Sequence, residues 1–201
     1  MKGRILIALL MISSVLASAQ IAASGFYIGW SGMVPLYKEF VSETSTQGLG
    51  FGYTRFFNER LGLGFDAGYS ILNDYVPLTT YPYLGGAITT DIYQYMYYYS
   101  ALVNGQYFFK PSGQLIPFAK LGAGAAFTEY REYFNVYNDS DNRAGFLVRP
   151  ELGIYYRVRP HSSVGFKASL YFDYATNASD YFDLKNYYGL GFKLAAVLFN
   201  D

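Results

Sequence analysis

Three groups of residues in this chain have the types and spacing to do chemistry. The first is His161, the sole histidine, followed by Ser162 and Ser163. A histidine beside a serine begins a nucleophilic pair, but the base needs a third group to orient it, and no carboxylate stands close by in the sequence. A polar turn is the simpler account. The second is the run Asn138-Asp139-Ser140-Asp141-Asn142. It offers oxygen ligands to calcium, yet it lacks the glycine and the terminal glutamate of a dedicated calcium loop, and it reads as a solvated connection. The third is a set of eight charges, Asp66, Lys120, Arg149, Glu151, Arg157, Lys167, Asp173 and Lys193, which share one parity with glycines and small polar residues. Charges shielded from water must be paired and hydrogen-bonded, so these are expected to form a salt-bridge network inside the fold. The alternative is an ion pathway lined by the same five basic and three acidic residues. Asn177-Ala178-Ser179 also matches a glycosylation sequon. With no cysteine there is no disulfide, thiolate chemistry or acylated cysteine. No catalytic, metal or cofactor residue is expected.

Parity has meaning only on strands, where successive side chains point to opposite faces. From Gly145 to Ala175 the pattern is complete: Phe146, Val148, Pro150, Leu152, Ile154 and Tyr156 oppose Leu147, Arg149, Glu151, Gly153, Tyr155 and Arg157. After Arg159-Pro160-His161-Ser162 the alternation restarts with Val164, Phe166, Ala168, Leu170, Phe172 and Tyr174, which makes a hairpin. The same design recurs in strands near Phe26–Trp30, Leu49–Phe57, Leu63–Ile71, Tyr93–Tyr107, Ala119–Phe127 and Tyr188–Leu198, giving eight in all. Asn58-Glu59-Arg60 and Lys110-Pro111-Ser112-Gly113 are turn sequences. Long connections are expected after strands one, three, five and seven, at residues Leu36–Thr46, Asn73–Asp91, Tyr133–Arg143 and Asn177–Asn186, and short ones after two, four and six. That alternation predicts an up-and-down antiparallel sheet with every long loop at one end. Its termini lie at the other end.

Composition decides which face is outside. Charged residues make up 15% of the chain, against roughly 25% in soluble domains, while 23 Tyr and 17 Phe carry the aromatic fraction to 20%. An eight-stranded barrel is only wide enough for its own side chains, so the bulky apolar parity does not fit inside. Inverted, with small and polar residues inward and apolar ones toward lipid, the pattern is consistent, and about ten residues per strand suffice to cross the hydrocarbon layer. Tyrosines near strand ends, among them Tyr53, Tyr69, Tyr93, Tyr107, Tyr156, Tyr174 and Tyr188, suit an interfacial girdle. At the N-terminus Lys2 and Arg4, the apolar run Ile5–Leu16 and Ala17-Ser18-Ala19 read as a secretory signal peptide over residues 1–19, leaving a domain of residues 20–201. Removing Lys2 and Arg4 leaves 13 basic residues against 15 acidic, a net of −2, with no basic footprint for nucleic acid.

Signal sequence, eight amphipathic strands from Phe26 to Leu198 and alternating connections together resemble the small eight-stranded bacterial outer-membrane barrels, the outer-membrane-protein A transmembrane domain and its single-domain relatives. The fold class expected is all-β, an eight-stranded antiparallel up-and-down transmembrane barrel. The resemblance implies location in the bacterial outer membrane and contact with its lipid and lipopolysaccharide. It also implies passage through periplasmic chaperones and the barrel-assembly machinery. No peptidoglycan-binding domain follows the strands, so wall anchoring is not expected, and Leu198 holds the in-phase terminal position with Phe199 beyond it. Some barrels of this size resemble hydrolases in acting on lipid with a histidine and a serine, a role that only His161 offers here. The remaining functions are a structural or surface-recognition role through the long loops, where Tyr75, Tyr81, Tyr83, Pro77 and Pro82 supply rigid contact area for an extracellular ligand, or a small solute pathway.

Overall fold

The computed structural model describes residues 24–110, 113–159 and 162–200. The signal-peptide assignment at 1–19 lies outside them, as do His161 and Pro111-Ser112. Eight strands run in order: β1 (Ser24–Pro35), β2 (Ser45–Phe56), β3 (Leu61–Tyr83), β4 (Gly86–Phe108), β5 (Leu115–Phe134), β6 (Tyr137–Arg157), β7 (Val164–Ala175) and β8 (Tyr187–Asn200). Each pairs antiparallel with the next, and β1 closes on β8 from Ser24↔Asn200 to Pro35↔Gly189. Closure removes the sheet edges, so the backbone groups of the wall find partners without water.

Period-two alternation sets the two faces of the wall. Val103, Leu121 and Leu170 are 68%, 60% and 67% exposed, whereas Lys167 and Asp173, on the other parity, are 1% and 0% exposed. Apolar exposure with buried charge is the arrangement that lipid imposes. Inward glycines make room for what fills the barrel: a Cβ on Gly191 would run into the Tyr171 ring, and one on Gly52 into Asp66 and Tyr27.

Two expectations need correction. Asn73–Asp91 and Tyr133–Arg143 are not irregular loops. β3 and β4 stay paired to Tyr83↔Gly86, with a turn at Leu84-Gly85, and β5 and β6 stay paired to Phe134↔Tyr137, with Asn135 at a positive φ of 55°. Both hairpins therefore continue past the barrel as ribbons. The alternation fades there because neither face meets lipid any longer, while backbone pairing persists. Pro77, which cannot donate to a ladder, sits where the register shifts between Val76 and Thr79. Long connections remain only after β1 and β7, at residues 36–44 and 176–186.

Nor is the interior only small and polar. One apolar cluster near the ribbon end includes Met33, Leu72, Met96, Tyr98, Leu147 and Tyr187. A second at the short-turn end includes Tyr27, Phe108, Phe118, Tyr155 and Phe199. Phe199 points inward and closes that end, because a strand one residue longer than its lipid-facing register presents its last aromatic ring to the lumen.

Candidate functional site: the filled lumen and the two ribbons

The wall brings most of the eight charges together in two groups. On the short-turn side, Glu151 of β6 lies 2.7 Å from Lys120 of β5, 2.7 Å from Lys167 of β7 and 3.8 Å from Lys193 of β8. Asp66 of β3 pairs with Lys120 and accepts a 2.7 Å hydrogen bond from the Tyr27 hydroxyl. The Tyr27 ring lies 4.0 Å from the Lys167 ammonium, so cation–π attraction supplements the ion pairs in a dry interior. On the ribbon side, Arg149 grips Asp173 with both arms of its guanidinium, at 2.5 and 2.6 Å, and stacks 4.5 Å over Tyr171. Tyr98 donates to the same carboxylate at 3.1 Å. A bidentate, planar grip of this kind is the strong form of an ion pair. Arg157 is half-buried at the short-turn end and rests 4.2 Å over the Phe199 ring.

Between the two charged levels lies a void of about 10 Å³ bordered by Ser31, Ser70, Tyr98, Ser100, Arg149 and Lys193. That is close to the smallest space a single water occupies. Among the described residues, the two apolar clusters lie above and below it.

The connection 36–44 and the connection 176–186 fold over the ribbon-end mouth. Phe40 packs 5.1 Å from both Tyr130 and Phe182, and Val41 and Leu184 are buried beside it. Asp74 latches the first connection, accepting from the Ser42 hydroxyl at 2.6 Å and the Ser42 amide at 2.8 Å. Asp141 latches the second through the Ser179 hydroxyl at 2.5 Å. Partial burial works to raise both carboxyls, but these hydrogen bonds outweigh it, joined by Arg143 at Asp141, and hold both below the usual carboxylate range. Asn177 of the sequon is fully buried and donates to Ala126 O at 3.2 Å and Thr128 Oγ1 at 2.7 Å, so it is a packing residue with no room for a glycan. Residues 138–142 belong to β6, paired to β5, rather than to the solvated loop expected for them. The cap was not expected from the sequence; its signal was the apolar residues inside otherwise polar connections, Phe40 and Val41 in the first and Phe182 and Leu184 in the second.

Outside the cap the two ribbons project. Leu84 at the first tip is 105% exposed and Val136 at the second is 81% exposed. The charges are partitioned as well. The ribbon end carries Glu39, Glu43, Asp74, Asp91, Glu129, Glu132, Asp139, Asp141, Asp180 and Asp183 against Lys38, Arg131, Arg143 and Lys185, whereas the short-turn end has Arg55, Arg60, Lys110, Arg157 and Arg159 against Glu59 among the described residues. The zero formal net charge of the chain conceals a strongly acidic outer surface.

A family model described as an outer membrane protein beta-barrel domain matches residues 5–195. This chain belongs to that family. Among solved structures, Ail, the attachment invasion locus protein of Yersinia pestis, is 14% identical at a TM-score of 0.56, covering 89% of this chain and 99% of Ail. The same protein has been solved in complex with the heparin analogue sucrose octasulfate, at a TM-score of 0.54. The outer membrane protein OprG of Pseudomonas aeruginosa is 12% identical over 89% of this chain and 96% of its own, at a TM-score of 0.47. No curated protein matches the chain in sequence. The protein is thus an outer-membrane β-barrel of the small eight-stranded type.

Proposed function

We propose that this barrel is a non-enzymatic surface protein that recognises or adheres to an extracellular partner through the β3–β4 ribbon, the barrel serving as a closed, rigid mount. The observation that carries this is the stretch between Asp74 and Asp91. It has no charged residue, exposes Leu78, Tyr81, Leu84 and Ile88, and is held upright by pairing that resumes after the Val76/Thr79 register shift and runs to the tip. Rigid aromatic and β-branched surface of this kind favours contact, since little side-chain entropy is lost on binding. The eight interior residues act as a structural filling that keeps the lumen shut. Export would use the leader at 1–19, with the mature chain starting near Gln20. Lipopolysaccharide, chaperones and the assembly machinery are the partners of biogenesis and residence.

The acidic outer surface argues against a polyanion such as the sulfated sugar seen with Ail. Sucrose octasulfate should therefore show no binding in calorimetry at moderate salt. The role itself is tested by replacing residues 76–90 with a two-residue turn and comparing bacteria carrying either form. Loss of attachment to a host-cell layer with unchanged envelope permeability supports recognition. Unchanged attachment with a permeability defect would leave a purely structural barrel instead.

A small anion pathway is the second reading, favoured by one observation: the short-turn group holds three lysines against Asp66 and Glu151. Purified protein in planar bilayers should give no large steady channel; small anion-preferring currents would establish the pathway.

A further inference from the structure

The lipid-facing wall is not uniform. Near the short-turn end it holds an apolar groove of about 1040 Å³, floored by Gly105 and Ala119 and flanked by Leu63, Tyr107, Leu121 and Leu152. The register explains it: Gly105 sits between Leu63 and Leu121, and Ala119 between Tyr107 and Leu152, so two of the smallest residues of this face fall close together among bulky ones. The groove continues into a second pocket of about 430 Å³, sharing Asn58, Leu61 and Tyr107 with it and adding the charged residues Glu59 and Arg60. The pocket is preformed. The Asn58 side-chain oxygen accepts from the amides of Arg60 and Leu61, both at 2.8 Å, and the Arg60 guanidinium donates to the Tyr107 hydroxyl at 3.4 Å. Arg60 is thereby held over a girdle tyrosine on the lipid side of the wall.

We propose that groove and pocket together bind one phospholipid with a phosphoethanolamine headgroup. The short-turn end of such a barrel faces the periplasm, and therefore the phospholipid leaflet. An acyl chain covers Gly105 and Ala119, which no side chain of the protein covers. At the headgroup level the pocket offers one cation, Arg60 held against Tyr107, and one exposed anion beside it, Glu59. Arg60 pairs with the phosphate, and Glu59 takes the primary ammonium, which keeps three N–H donors. A glycerol headgroup leaves Glu59 facing phosphate without a counter-charge. A quaternary choline has no N–H to give it. The combination of charges, rather than the groove alone, selects the lipid.

The test is native mass spectrometry of the purified full-length mature barrel released from nanodiscs containing equal amounts of phosphatidylethanolamine, phosphatidylglycerol and phosphatidylcholine. One phosphatidylethanolamine should be retained in preference to the others. Gly105→Leu fills the groove without strain, since a Cβ there meets only the Leu63 Cδ2 atom at 3.8 Å. Arg60→Gln should lower retention about tenfold, the scale of one lost charge-assisted contact, and Gly105→Leu should lower it by taking the space of the acyl chain. Glu59→Gln should shift the preference toward phosphatidylglycerol. Equal retention of the three lipids, or retention indifferent to Gly105→Leu, would overturn the proposal. So would a dimer that Gly105→Leu dissociates, since the occupant would then be a second copy. Water-soluble phosphoethanolamine binding as tightly as the lipid would remove the groove from the argument.

Discussion

The two ribbons have the same construction and opposite chemistry. β3–β4 and β5–β6 both leave the barrel as paired strands and both end in a two-residue turn with a positive φ, at Gly85 and Asn135. The first carries no charge between Asp74 and Asp91 and bears cross-strand pairs such as Tyr75 with Tyr93, at 4.8 Å, and Thr80 with Thr89, at 2.8 Å. The second carries Glu129, Arg131, Glu132, Asp139, Asp141 and Arg143, with Arg131 to Glu129 at 2.5 Å and Arg143 to Asp141 at 2.6 Å. The difference lies in what each ribbon holds. From β5–β6, Tyr130 and Asp141 reach into the cap and fasten the connection 176–186. Among the described residues, the β3–β4 ribbon is fastened at its base, through Asp74, and its upper part is left exposed for contact. Backbone pairing gives both their shape, and side-chain charge decides which one is built into the molecule.

The comparison breaks most clearly at the cap. Phe40→Ala should lower stability by about 3–5 kcal/mol, the usual cost of emptying a buried aromatic site, whereas Leu84→Ala at the free tip should stay within about 0.5 kcal/mol. Reversible urea unfolding in lipid vesicles measures both; similar losses would mean that the first ribbon is also packed. Asn177→Ala follows. It leaves the Ala126 carbonyl and Thr128 hydroxyl without their buried partner, at about 1–3 kcal/mol. Thr80→Ala, which removes a solvent-exposed cross-strand pair, should cost only a few tenths of a kcal/mol, as is usual for such pairs.

Acid sharpens the contrast with a smaller effect. Asp74 and Asp141 are held below their ordinary range when folded. Their latches are therefore fully present above an unfolded value of about 3.9 and are lost as pH falls through the lower folded value. Hydrogen exchange at residues 40–43 and 179–184 should accelerate on lowering the pH through that window, after correction for intrinsic rates. The ribbon tip at residues 78–88 should not respond, because it has no group that titrates there. Equal acceleration at the tip would show that the whole outer region loosens together.

Alternation in the amino-acid sequence determined the barrel, its eight strands, the lipid-facing parity of residues such as Leu121 and Leu170, and the inward parity of the eight charges. It could do so because lipid and lumen are chemically so different that every crossing residue must suit one or the other. Beyond the membrane that contrast ends, and Asn73–Asp91 looked like a loop although its backbone stays paired. Partner choice was equally invisible. Glu151 gathers lysines from three other strands, and Arg149 takes Asp173, because closure and stagger bring distant positions to one height in the lumen. The Phe199 plug, the cap built on Phe40 and the stacking of Arg157 on Phe199 arise the same way: period two assigns a side chain to a face, and only the closed, tilted barrel assigns it a level and a neighbour.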